Sequence, residues 1–94
     1  MPFDPEKNKK NIRDHGLDLS FGDQVMTDIN ALEVLDTTMD YGEERWNMLG
    51  MVKGVVYHLT YIDADEGFRY ISLRKAEKTE ELRYYRMGTD HGNV

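Results

Sequence analysis

Arg45, Arg69 and Arg74 stand in stretches that alternate as strands do. Arginine is costly to bury on a strand, but its planar fork is well shaped to grip a phosphate. Residues 68–86 hold six bases (Arg69, Arg74, Lys75, Lys78, Arg83, Arg86) against three acids, in a chain whose formal net charge is −6. Simple alternation puts Ser72 on one face with Phe68, Tyr70 and Arg74. Such a set of bases and hydroxyls suits RNA cleavage without a metal. The 2′-hydroxyl attacks its own phosphate, and the protein supplies positioning, charge stabilisation and a proton donor or acceptor. The competing reading is plainer: these arginines pair with Glu44, Glu80 or Glu81 on a solvated sheet edge. Spacing alone leaves both open.

Other chemistries find less support. The chain has no cysteine, so it offers no thiolate ligand, disulfide or thiol nucleophile. His15, His58 and His91 are scattered, and no pair has ligand spacing. Asp63, Asp65 and Gly67 invite a calcium loop, but a hairpin turn explains them better. No glycine-rich phosphate loop or Ser-His-Asp signature is present. No metal and no cofactor are expected.

The elements that must position these residues follow from caps and periods. Asp4 caps a helix with Pro5 in its first turn, and Gly16 supplies the exit after His15. Ile12 is the only large aliphatic between Phe3 and Leu17, so this helix should be mostly exposed. Asn8, Asn11 and His15 share one of its faces, for which a polar, solvated face is the first reading. A second short helix, opened by a Ser20/Asp23 box and buried through Phe21 and Val25, should end near Asp28. Leu32 and Val34 face away from Glu33 and Leu35 in a candidate strand. Thr37–Glu43 reads as a polar turn. Glu44–Val52, Val55–Ile62 and Phe68–Lys75 form an antiparallel meander, joined at Lys53-Gly54 and at Asp63–Gly67. A last helix runs from Glu77 or Thr79 to about Met87, with Leu82, Tyr85 and Ala76 turned inward.

The expected fold is therefore α+β: two N-terminal helices, an antiparallel sheet of three to four strands and a C-terminal helix, with the helices on one face of the sheet. The 94 residues make one domain, with a folded core over 1–88 and a flexible tail over 89–94. A pI near 4.9 argues against nucleic-acid binding through the whole-protein field, though not against a local basic face. The start of the chain lacks the apolar run of a signal peptide, and no stretch approaches transmembrane length. A cytoplasmic protein with no membrane contact is expected.

Three blocks of sequence resemble one family. Phe3-Asp4-Pro5, Lys7, Asn11, His15-Gly16 and Ser20-Phe21 form the first; Glu44-Arg45-Trp46 with Leu49-Gly50 the second. Arg69 to Ala76, with Glu80 and Tyr84 beyond, form the third. Together, in this order, they resemble the BrnT family of ribonuclease toxins from type II toxin–antitoxin systems. The resemblance implies a RelE-like fold and a cytoplasmic bacterial toxin that cuts RNA without metal. It further implies a small DNA-binding antitoxin that masks the toxin, with operator DNA reached only through that partner.

Carried onto this chain, the resemblance implies catalytic residues among Arg45, Arg74, Glu44 and His15. Arg45 and Arg74 would meet the phosphate, and Glu44 or His15 would move the proton. Arg69, Ser72, Lys75 and Tyr84 are the implied substrate contacts. Two features depart from the family pattern: Glu77, Thr79 and Glu81 interrupt the bases after Ala76, and the chain is acidic overall. They motivate an alternative, a catalytically weak homologue that serves as an antitoxin-binding or repressor-complex module.

Overall fold

The computed structural model describes residues 3–37 and 42–92, with residues 88–92 described by backbone alone. The elements run α1 (Pro5–His15), a 3₁₀ turn (Leu19–Phe21), α2 (Gly22–Val25), β1 (Leu32–Asp36), β2 (Arg45–Val52), β3 (Val55–Ala64), β4 (Gly67–Lys75) and α3 (Lys78–Gly92). The four strands form one antiparallel sheet in sequence order. The α+β class is as expected. Much of the expected Thr37–Glu43 turn, and the end of the expected tail, lie outside the described residues.

The first hairpin is the tight one anticipated, and the second is tighter than the loop expected over Asp63–Gly67. Lys53 and Gly54 carry positive φ values of 49° and 82°, the pair of left-handed residues that lets a two-residue turn follow the twist of its strands. Asp65 and Glu66 turn the chain between the paired residues Ala64 and Gly67.

The helices do not share one face. Leu19 and Val25 pack with Met48, Tyr57, Leu59, Tyr61, Tyr70 and Leu73 on one side of the sheet. On the other side Leu49, Val56 and Tyr84 form a smaller cluster beneath α3. Consecutive strand residues point to opposite faces, so Met48 and Leu49 each serve a different layer. The inward positions of α3 are Glu80 and Tyr84, four apart. Leu82 and Tyr85, expected inside, are exposed, whereas Ala76 packs inward as expected.

The second helix is shorter than its pattern suggested. Asp18, not Ser20, is the cap, accepting the Ser20 N–H at 2.9 Å, and a 3₁₀ turn comes first. Asp28 then ends the region by turning away from helix. Its carboxylate accepts the N–H of Asn30 (2.9 Å) and of Met51 (2.8 Å), and the hydroxyl of Tyr84. This docking brings the Val25 backbone against β2, where a Cβ on Gly50 would lie 2.9 Å from the Val25 carbonyl oxygen. Only glycine fits there without a shift of backbone.

α1 is fastened by amide groups rather than by an apolar stripe. Ile12 is exposed, and Asn11 is the helix's buried residue. Its Nδ2 donates to the carbonyls of Leu17 (2.9 Å) and Leu73 (2.8 Å), while its Oδ1 accepts the Leu73 N–H at 2.9 Å. Asn8 accepts the Leu19 N–H at 2.7 Å. Asn11 thus stands in for a further strand along β4, satisfying backbone groups that an edge would otherwise leave open. Two of the three residues on the face read as solvated are structural.

A register shift between Thr60 and Tyr61 changes what β4 presents. Ser72 pairs with Thr60, but Tyr70 pairs with Tyr61 on the opposite face. The bulge therefore separates Ser72 and Arg74 from Tyr70 and Phe68, which simple alternation had grouped with them. It brings Arg69, opposite Ile62, onto the same face as Ser72 and Arg74.

Candidate active site

With α1 clamped along β4, one side of the helix overlooks the sheet. A cleft of about 300 Å³ opens there. α1 contributes Lys7, Lys10, Asn11, Asp14 and His15; β2 contributes Arg45; Ile71 and Ser72 come from β4 at the bulge. Lys7, Lys10 and Asp14 stand at i, i+3 and i+7, which aligns them on one helix face. Three permanent cations against one carboxylate make a positive pocket on a chain of net charge −6. His15 lies in the last turn of α1. The arrangement can hold an anion, stabilise added charge and exchange a proton at an imidazole.

The structure brings together three of the residues singled out from sequence: His15, Arg45 and Ser72. Arg69 stands nearby on the same sheet face, with Glu43 between it and Arg45. The Glu43 carboxylate lies 3.7 Å from Arg45 Nη2 and 3.6 Å from Arg69 Nη2. Glu44 is exposed just before β2 and does not line the cleft.

Arg74, Lys75 and Tyr84 sit elsewhere. Arg74 grips Glu80 through both prongs of its guanidinium, at 2.8 and 3.0 Å. Glu80 in turn accepts the Glu77 N–H at 2.8 Å, one half of a capping box at the start of α3. The hydrogen bond from Arg74 pulls the Glu80 carboxyl down to about 2, against the opposing effect of burial. His58 approaches Glu80 at 3.9 Å, and burial followed by the charge of Arg74 holds its pKa below the ordinary histidine value. Lys75 is exposed opposite Tyr57, on the face that carries the main core. Tyr84 is buried against Leu49 and Val56 with its hydroxyl on Asp28, and burial first, then that carboxylate, pushes it up to about 12.

Sequence reasoning missed Lys7, Lys10 and Asp14 as cleft residues, and Glu43 as the partner of two arginines. The signal for the first three was present, one residue upstream of the Asn8, Asn11 and His15 stripe. Nothing in local spacing pointed to Glu43, because Arg69 reaches it only across the sheet.

This is an α+β domain with a cationic, histidine-bearing cleft between its first helix and a bulged edge strand. A family model described as ribonuclease toxin, BrnT, of type II toxin-antitoxin system matches residues 3–80, and the chain belongs to that family. The match ends at the residue that holds Arg74, so most of α3 lies beyond it. No curated protein matches the sequence. Membership makes the chain a relative of ribonuclease toxins whose systems pair each toxin with an antitoxin, and an antitoxin is thereby its implied partner. Among the described residues no helix is long and apolar enough to cross a membrane.

Proposed function

We propose that this chain is a metal-independent endoribonuclease of the cytoplasm that inhibits translation and growth by cutting RNA. A small DNA-binding antitoxin neutralises it, and operator DNA is reached only through that partner. The observation that carries the reading is the meeting of Lys7, Lys10, His15, Arg45 and Ser72 around one cleft. In this scheme His15 takes the proton from the 2′-hydroxyl as its oxygen attacks the adjacent phosphorus. The 5′-oxygen leaves and takes a proton from water, giving a 2′,3′-cyclic phosphate and a 5′-hydroxyl end. Lys7, Lys10 and Arg45 stabilise the extra charge of the phosphorane, and Ser72 donates to a phosphate oxygen. His15 fits the proton-transfer role better than Glu44, because it lines the cleft and Glu44 does not. Arg74, held by Glu80, is better read as a support for α3.

A second reading is favoured by two carboxylates, Asp14 inside the cleft and Glu43 beside its arginine. Both oppose an RNA phosphate and support a catalytically weak chain that serves as an antitoxin-binding module in a repressor complex. Expression in a bacterium lacking the neighbouring gene separates the two. Arrested growth with fragmented RNA, relieved by His15→Ala or by co-expression of the antitoxin, supports the nuclease. Normal growth and intact RNA, indistinguishable from the His15→Ala chain, would sink it. Co-purification with a small basic protein in that case supports the module.

A further inference from the structure

Arg45 and Arg69 are separated by a whole strand. Arg45 immediately precedes Trp46, which pairs with Tyr61 of β3, and the next β3 residue, Ile62, pairs with Arg69 of β4. Their backbones are thus roughly 10 Å apart, two strand spacings. Yet both guanidinium groups turn toward one carboxylate, that of Glu43, at 3.7 and 3.6 Å. An anion between two like charges offsets their repulsion. We infer that Arg45 and Arg69 form a second phosphate seat adjoining the cleft, and that Glu43 is an intramolecular placeholder in it. This rests on the nuclease reading for its substrate class, a single-stranded RNA that spans at least two phosphates.

The geometry supports displacement rather than permanent pairing. The contacts exceed the 2.7–2.9 Å of a well-formed charge-assisted bond. Glu43 is 38% and Arg69 54% exposed, so water screens the pair and its net contribution is small. A phosphate offers more acceptor oxygens than a carboxylate, with a shape that two arginine forks can share. Arg45 belongs to both places, since it lines the cleft and also meets Glu43. An RNA held by Arg45 at the cleft would carry its neighbouring phosphate toward Arg69. The contrast with Arg74 is instructive: its carboxylate partner is close, bidentate and half sheltered, and is not a seat.

The test uses the full chain and a fluorescent single-stranded oligodeoxynucleotide, which lacks the 2′-hydroxyl and cannot be cut. Anisotropy is read for wild type, Glu43→Gln, Arg69→Ala and the double variant, with a urea midpoint for each to show that it is folded. Glu43→Gln should tighten binding about two- to fivefold, the range of one exposed ion pair. Its affinity should fall more steeply with salt, as one more phosphate contact requires. Arg69→Ala should abolish that gain. No gain in Glu43→Gln, absence of binding by both chains, or a gain that survives Arg69→Ala each overturns the seat. Cleavage of the matching RNA is followed in parallel. A gain in binding without cleavage by either chain keeps the seat and removes the nuclease; cleavage with no gain does the reverse.

Discussion

Arg74 and Glu80 form a two-pronged ion pair that joins the last residues of β4 to the first turn of α3. Glu80 is 12% exposed, and the same carboxylate caps the Glu77 N–H. Removing the arginine leaves a sheltered charge with one partner fewer. Arg74→Ala should therefore lower stability by about 1–3 kcal/mol, the usual cost of stranding a charged hydrogen-bonding group. Urea unfolding checks this. A variant as stable as wild type would mean the pair is ornamental, and any lost activity would then belong to chemistry. Arg74→Lys should recover only part of the loss, because an ammonium lacks the planar fork.

Asn11 answers for two backbone groups of Leu73 at once. Asn11→Ala should cost about 2–4 kcal/mol, since it strands a buried N–H and a buried carbonyl. Hydrogen exchange at the Leu73 amide should accelerate in the same variant. Asn11→Asp keeps an acceptor for the N–H but sets a carboxylate against the Leu73 carbonyl, so it should also be destabilised. Protection at Leu73 equal to wild type would contradict the clamp.

His15 offers the cleanest separation of chemistry from folding. It is exposed, so His15→Ala should leave the urea midpoint within about 0.5 kcal/mol of wild type. Cleavage of an RNA oligonucleotide should fall about 10²- to 10⁴-fold, the range for loss of a general base. A smaller fall, with Glu44→Gln taking the larger one, would move the proton-transfer role to Glu44.

Acid should destabilise the fold in two stages. His58 has a depressed folded pKa, so the unfolded chain binds protons first as pH drops below 6.5. Glu80, pulled down to about 2, contributes stability that is complete above 4.5 and is lost between those values. Asp28 behaves alike. Burial works against its charge, but hydrogen bonds from Tyr84, Met51 and Asn30 outweigh it and hold the carboxyl below its ordinary value. Urea midpoints across pH 7 to 3 should show both losses, and His58→Gln should flatten the first alone. A curve unchanged by His58→Gln would contradict that assignment.

How much of this was legible before folding depended on whether the signal was local. Asp4, Pro5 and Gly16 bounded α1 without help, and Lys53-Gly54 declared its turn. The face of each β1 and β2 residue followed from alternation. What escaped was set by contacts between distant segments. The bulge at Thr60/Tyr61 moved Tyr70 away from Ser72, and no period of two predicts a slip. Asp28 stopped the second helix by reaching Met51 and Tyr84, partners 23 and 56 residues away. The basic island of residues 68–86 was real in composition, but the cleft drew its cations from α1 and β2 instead. The resemblance carried His15 onto the site but not Lys7; spacing alone had read that helix as solvated.

The bond between Asn11 and Leu73 also has a meaning in time. The two residues are 62 apart, and a chain made from its N-terminus at roughly 5–20 residues per second needs about 3–12 s to join them. Until then α1 has no edge to lie on, and Lys7, Lys10 and His15 have no Arg45 or Ser72 opposite them. A half-synthesised chain thus carries its first helix without the cleft. The cleft can close only once Leu73 has been made, and an asparagine closes it.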